Sequence, residues 1–336
     1  MPFPPEEPQP SDMAIQRSTM PRIRVRVPAS TSNLGPGFDS LGLALSLCND
    51  VALACEGLKP IEGEAAAPSV EVRVRGIGQD ELPRDESSLV WQAAAKVFPE
   101  AGLAVERVRI DCVNRVPLDS GLGSSSAACV GGIVAANEMC GRRLPPHRLL
   151  EIATALEGHP DNAAAALLGG FTVAWDANGK PVAARAPLRS RLQVVVCTPA
   201  LRLATMKARA ALPERVPHRD AVLAVGRAAG LVALLATGGL DALGAAMEDT
   251  LHQPYRAPLM PGLEQALAEA RHQGAVSAAV SGAGPSLVAF VPASVPETAE
   301  RVSRTLEECF GNQGVEAESR ILSVDRKGAR VLKAIR

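Results

Sequence analysis

Residues 22–27, RIRVRV, alternate charged and apolar side chains, the period of a strand with one face buried. EVRVRGIG (71–78) repeats the alternation and ends in glycines, as a strand entering a turn does. Between them the loop STSNLGPGF leads into LGLALSLCNDVALAC, whose apolar run predicts more strand. SSLVWQAAAKVF (87–98) has helical spacing, with Ser87 or Ser88 as its cap. VERVRIDCVNRV (105–116) predicts a strand running into a loop at 117. After Ser124 the pattern changes to AACVGGIVAANEMCG, a small-residue helix that Gly141 can end and that can pack closely on a sheet.

HRLLEIATALEG (147–158) predicts another helix, broken at Gly158-His159-Pro160. GGFTVAW and RLQVVVCTP read as strands, and VLAVGRAAGLVALLA and LDALGAAM as helices. GLEQALAEARHQG is a further helix, followed by strand AVSAAVSG, turn AGPS and strand LVAFV. The end runs helix TAERVSRTLEECF, then strand ESRILSVD. Strands and helices mix without strict alternation, which favours an α+β fold over a doubly wound parallel sheet. The expected organisation is a disordered tail over 1–20, an N-terminal domain over 21–187 and a C-terminal domain over 188–336.

Composition narrows the class. Hydrophobic residues make up 47% and charged residues 21%, enough apolar surface for a sizeable globular core. The formal charge is −1, with no Lys/Arg block, so no nucleic-acid footprint is expected. Seven scattered cysteines without a C-x-x-C pair suggest reduced thiols in a cytoplasmic protein. No run approaches 18 consecutive apolar residues, so no membrane span is expected, and the first 20 residues lack the pattern of a signal peptide.

The chemistry concentrates at PLDSGLGSSSA (117–127). Glycines between a strand and a helix let backbone N–H groups approach an anion, and the helix N-terminus adds free donors. The loop is not a Walker A motif, because no G-K-[ST] closes it, nor G-x-G-x-x-G. By itself it reads as a phosphate site or as a tight turn with a serine cap.

Five further segments join this loop in a resemblance. VPASTSNLGPGFDSLGLAL (27–45), VPLDSGLGSSSAA (116–128) and SGAGPSLVAF (281–290) resemble the three motifs of the GHMP kinases. EGHPDN (157–162), TMKARAALP (205–213) and PYRAPLMPG (254–262) resemble the branch of that family that phosphorylates L-homoserine. The resemblance spans roughly residues 22 to 335. It implies a two-domain fold: a domain like ribosomal protein S5 domain 2, with a left-handed crossover, and a ferredoxin-like C-terminal domain. It also implies ATP and Mg²⁺, a step towards threonine, and small-molecule substrates only. Relatives often form homodimers, and the resemblance leaves that open.

Residue by residue, the resemblance implies that Pro117, Leu118, Asp119, Ser120, Gly121, Leu122, Gly123, Ser124, Ser125, Ser126 and Ala127 wrap the triphosphate. Ser125 and Glu157 would hold Mg²⁺; composition alone makes Glu157 a surface acid, with Glu151 as a substitute ligand. Asp39 would meet the amino group or hydroxyl of homoserine, with Asn33 and His159 beside it. Arg209 and Arg256 would fork onto the carboxylate, Thr205 would share a helix face with Arg209, and Gly282 would close the site from the third motif. Without the resemblance both arginines read as solvated surface charges. Some relatives have a catalytic aspartate where this chain has Asn162, which cannot take a proton, and Asp161 is expected to point elsewhere. Transfer driven by orientation and electrostatics follows, with Asn33, Asp39, Asn162 and Arg209 around the reacting groups. Two other readings stand beside this: a relative acting on threonine or a mevalonate-type alcohol, and a non-catalytic ligand sensor. Asp39 argues against a substrate without an ammonium, and the intact loop serines and Glu157 argue against a sensor.

Overall fold

The computed structural model describes residues 20–63 and 66–332. Apart from Met20, the tail expected over 1–20 lies outside the described residues. Strands β1 (Arg22–Asn33) and β2 (Gly37–Glu56) form a long antiparallel pair, from Arg22 opposite Ala54 to Asn33 opposite Gly37. A short strand β3 (Lys59–Pro60) precedes β4 (Ser69–Gly76) and helix α1 (Leu89–Glu100). Then come β5 (Leu103–Ala104), paired with β3, and β6 (Arg107–Asn114), parallel to β4 with α1 as the crossover. Helices α2 (Ser124–Met139), α3 (Pro146–Glu157) and α4 (Asp161–Leu168) follow, then β7 (Phe171–Asp176) and β8 (Pro181–Ala186).

The second half contains β9 (Leu192–Pro199), α5 (Thr205–Ala210), α6 (His218–Thr237), α7 (Leu243–Ala246), α8 (Gln253–Arg256) and α9 (Leu263–His272). It continues through β10 (Ser277–Val280), β11 (Leu287–Pro292), α10 (Pro296–Gly311), β12 (Ala317–Leu322) and β13 (Arg330–Leu332). One sheet runs β13-β1-β2-β6-β4, with β7 and β8 attached through β2. The other is antiparallel in the order β10-β11-β9-β12, the ferredoxin-like arrangement. The fold is α+β, and the last strand crosses back to pair with β1.

The alternation in RIRVRV is realised as read. Val25 and Val27 are fully buried, while Arg24 and Arg26 reach Asp50 across the hairpin at 2.9 and 2.7 Å. Strand β9 shows the same period from both faces. Val194 and Val196 enter a core with Phe171, Phe290, Leu231 and Leu235 that joins the two sheets. Val195 and Cys197 point the other way, into a core with α9 and α10. A third core lies between the first sheet and α1–α4. Each fully buried Val, Leu or Phe contributes about 1.5–3 kcal/mol.

Two local expectations change. Ser88 occupies the N-cap of α1 without a side-chain cap bond, and Ser87 instead donates its hydroxyl to Asp85 at 2.6 Å. LDALGAAM yields only the single turn α7. Helix α6, with a mean hydropathy of 1.6, is long and apolar enough to cross a bilayer by length and composition. It carries Arg227 at its centre, ion-paired with Glu248, and places Leu231 and Leu235 in the inter-sheet core.

Candidate active site

The end of β6 is steered into the loop at 117 by Asn49, whose Oδ1 accepts the N–H groups of Arg115 and Val116 at 2.7 and 3.0 Å. Two glycines are required there. Gly121 has φ 79° and a Cβ on it would lie 2.1 Å from the Ser281 carbonyl; Gly123 has φ 67° and its Cβ would lie 2.1 Å from Ser30 Oγ. Gly123 is also the N-cap of α2 and has no side chain with which to cap the first-turn N–H groups. Those donors and the helix dipole favour an anion. Asp119, Ser120, Gly121, Gly123, Ser124, Ser125 and Ser126 line a cavity of about 280 Å³. Leu122 and Ala127 point into the core, and Leu118 lines a neighbouring cavity.

Glu157, the last residue of α3, is half-buried and faces the start of α2. It accepts the hydroxyl of Ser126 at 2.6 Å and that of Ser125, and Cys129 Sγ lies 3.5 Å away. Burial, with Glu157 adding to it, pushes the Cys129 thiol well above its ordinary range, so the thiol stays protonated. A carboxylate and a hydroxyl converging beside a phosphate loop fit a hard divalent cation. Glu151 pairs with Arg148 instead and lies outside the cavity.

The same cavity gathers Asn33, Asp39, His159, Asn162, Thr205, Arg209, Arg256 and Gly282. Asn33 and Asp39 both adopt left-handed backbone, at φ 69° and 53°, which concentrates strain at this site. Asn33 stitches it together: its Oδ1 accepts the Asp39 N–H at 3.0 Å and its Nδ2 donates to Gly282 O at 2.8 Å. Arg209, carried by the short α5, grips Asp39 through both terminal nitrogens at 2.7 and 3.0 Å. That bond raises the Arg209 pKa.

Arg256 corrects the surface reading. It is 1% exposed and donates to Gly282 O at 2.9 Å and Ala208 O at 3.3 Å. Among the described residues it makes no ion pair with a carboxylate. Burial and Arg209 pull its guanidinium down to about 10, still charged at neutral pH. Phe38 lies under both guanidinium groups, 5.6 Å from Arg209 and 5.4 Å from Arg256.

Asp161 does not point elsewhere. It is 1% exposed and lines the cavity, with Oδ1 accepting the Asn162 N–H at 2.7 Å and facing His159 Nδ1 at 2.6 Å. Burial opposes charge on both groups, yet their mutual bond holds Asp161 low and raises His159. Asn162 is fully engaged, donating to Ser32 Oγ and accepting from Ser30 Oγ, each at 2.8 Å. Asp39, His159 and Asp161 have ligand atoms within 4.8 Å of one another, but Arg209 already occupies both Asp39 oxygens.

A second cavity of about 380 Å³ adjoins the first and shares Leu89, Asp119, Ser124 and Ser125 with it. Its walls include Val51, Leu82, Pro83, Val90 and Leu118. The site therefore offers an apolar chamber, a glycine-serine loop at a helix N-terminus and a small chamber carrying both signs of charge. Phe38 and Asp161 line this cavity, His252 stands behind Arg256 outside its lining, and none of the three was selected from sequence. Phe38 sits inside the first motif, Asp161 forms an H-x-D with His159, and His252 stands one helical turn before Arg256; those spacings were the available signals.

Residues 88–170 match the GHMP kinases N terminal domain and residues 231–311 match the GHMP kinases C terminal domain. The chain is 42% identical to the homoserine kinase of Carboxydothermus hydrogenoformans, over 91% of this chain and 96% of that one. It is 41% identical to the homoserine kinase of Streptomyces coelicolor, over 92% and 94%. The crystal structure of homoserine kinase from Cytophaga hutchinsonii superposes with a TM-score of 0.82 at 27% identity, covering 96% of this chain and all of that one. The crystal structure of L. major mevalonate kinase, at 17% identity and a TM-score of 0.63 over 91% of this chain and 96% of its own, shares the fold alone.

Proposed function

The chain belongs to the homoserine kinase branch of the GHMP kinase family, and on that premise we propose that it transfers the γ-phosphoryl group of ATP to the hydroxyl of L-homoserine. The products are O-phospho-L-homoserine and ADP, and the reaction serves threonine biosynthesis. One observation carries the substrate assignment: Asp39 and the paired arginines Arg209 and Arg256 face one small cavity beside the glycine-serine loop, with Arg256 buried and, among the described residues, lacking a carboxylate partner. An α-amino acid answers that arrangement, its ammonium towards Asp39 and its carboxylate towards the two arginines.

The triphosphate lies along Asp119–Ser126 at the N-terminus of α2, with the base and ribose in the apolar chamber. Ser125 and Glu157 would hold Mg²⁺, which supplies charge neutralisation on the phosphate oxygens when bound. The substrate hydroxyl attacks phosphorus, a new P–O bond forms, and the bond to the ADP oxygen breaks. Asn162 accepts no proton at neutral pH, Asp39 serves as the charge partner of Arg209 or of the substrate ammonium, and Asp161 Oδ1 already faces His159 and the Asn162 N–H. Transfer therefore rests on orientation and electrostatics, with the proton leaving to phosphate or water. A cytoplasmic setting fits the seven free cysteines.

An assay coupling ADP release to NADH oxidation, run across L-homoserine, L-threonine, L-serine and mevalonate, tests this reading. The expected result is the highest kcat/KM on homoserine. Equal or greater activity on another of these alcohols overturns it.

A further inference from the structure

Arg256 must be aimed as well as charged, since a guanidinium on a flexible stem loses its fork geometry unless its own donors are fixed. The side chain that fixes it is His252, one turn earlier and fully buried. His252 Nε2 lies 2.9 Å from the Gly35 carbonyl, which can only accept, so Nε2 carries the hydrogen. Nδ1 is then left as an acceptor, and it faces Arg256 Nη1 at 3.2 Å. Backbone and ring are each held. Asp249 Oδ2 accepts the backbone N–H groups of His252 and Gln253 at 2.9 and 2.6 Å, and Phe38 packs against the imidazole with centroids 5.3 Å apart.

We propose that His252 is a positioning residue for substrate recognition: tethered to Gly35 and Asp249, it directs Arg256 at the carboxylate of the amino-acid substrate. The proposal rests on the reading of the site given above. Burial outweighs the nearby Asp249 and lowers the His252 pKa, which keeps the ring neutral and able to accept from a cation. The same geometry ties the first motif to the substrate pocket, because Gly35 belongs to the loop that carries Phe38 and Asp39.

Two variants separate aiming from packing. In His252→Asn the amide oxygen stands near the level of Nδ1 and can accept from Arg256. In His252→Gln the amide lies one bond further out, where it can donate to Gly35 but faces Arg256 less directly. Steady-state kinetics should show the homoserine KM rising about tenfold in His252→Gln and much less in His252→Asn, with kcat and the ATP KM little changed. The ligand provides the second arm. For 3-aminopropan-1-ol, which is homoserine without its carboxylate, kcat/KM should be the same in wild type and His252→Gln. Equal KM increases in both variants, a loss confined to kcat or the ATP KM, or an equal loss on 3-aminopropan-1-ol overturns the proposal. Thermal melts of both variants show whether a loss merely follows unfolding. If the wild-type protein does not phosphorylate homoserine, the functional reading itself falls; if it does and His252→Gln is unaffected, only this inference falls.

Discussion

Asp39 and Arg209 neutralise each other in the structure, so a ligand that comes between them must answer both charges. A zwitterion does this without leaving a charge unpaired, whereas a ligand with one charge strands Asp39 or Arg209. Asp39→Asn should therefore raise the homoserine KM by about 10–100-fold while retaining most of kcat. Measuring both constants checks it: abolished turnover with unchanged homoserine affinity would make Asp39 the base and end the account of transfer without one. Arg256 shows why residue roles are hard to read from sequence. Nothing local in PYRAP says that its side chain is covered, because the cover comes from Gly282, 26 positions away. Asp161 was misjudged for a related reason: its direction is set by the turn at His159 and Pro160 and by the start of α4, not by its neighbour Asn162.

At the scale of elements, β1 and β2 hold the first motif in register, and Asp50 pins them. Its side chain is 2% exposed and receives Arg24, Arg26 and Arg115 at 2.9, 2.7 and 3.3 Å. Burial pushes its pKa up, but the hydrogen bonds from Arg26 and Arg24 outweigh that and hold it at about 2. A depressed carboxylate contributes stability that is present above its unfolded pKa of about 4 and lost as pH falls through its folded value. Asp50→Asn should cost about 2 kcal/mol at pH 7, and the gap from wild type should close between about pH 4 and pH 2. Urea unfolding across that range measures it; a pH-independent gap would mean that the asparagine disrupts packing instead. The alternating strands were legible because their period of two survives in any sheet. The cap of α1 was not, since Ser87 has a nearer partner in Asp85.

For the whole molecule, the decisive feature is the core shared by the two sheets, in which Leu231 and Leu235 of α6 meet Phe171, Val194 and Phe290. It holds Arg209 and Arg256, from the second half of the chain, opposite Asp39 from the first. Leu231→Ala should cost about 3 kcal/mol and lower the melting temperature of the protein as a whole. Calorimetry that shows an unchanged melting temperature would remove α6 from the structural core. Its apolar sequence reads as a candidate span by composition, and only its neighbours show where Leu231 and Leu235 go.

The turn at 117–127 was legible from sequence alone because its parts are contiguous: a strand, glycines free to take left-handed backbone and a helix N-terminus. Resemblance of six ordered segments extended that to the fold class and the family. Tertiary structure decided the rest, since charge pairing, burial and aim depend on residues distant along the chain. Glu157 meets Ser125 across 32 positions and Arg209 meets Asp39 across 170. His252 reaches Gly35 across 217, a contact no local pattern encodes.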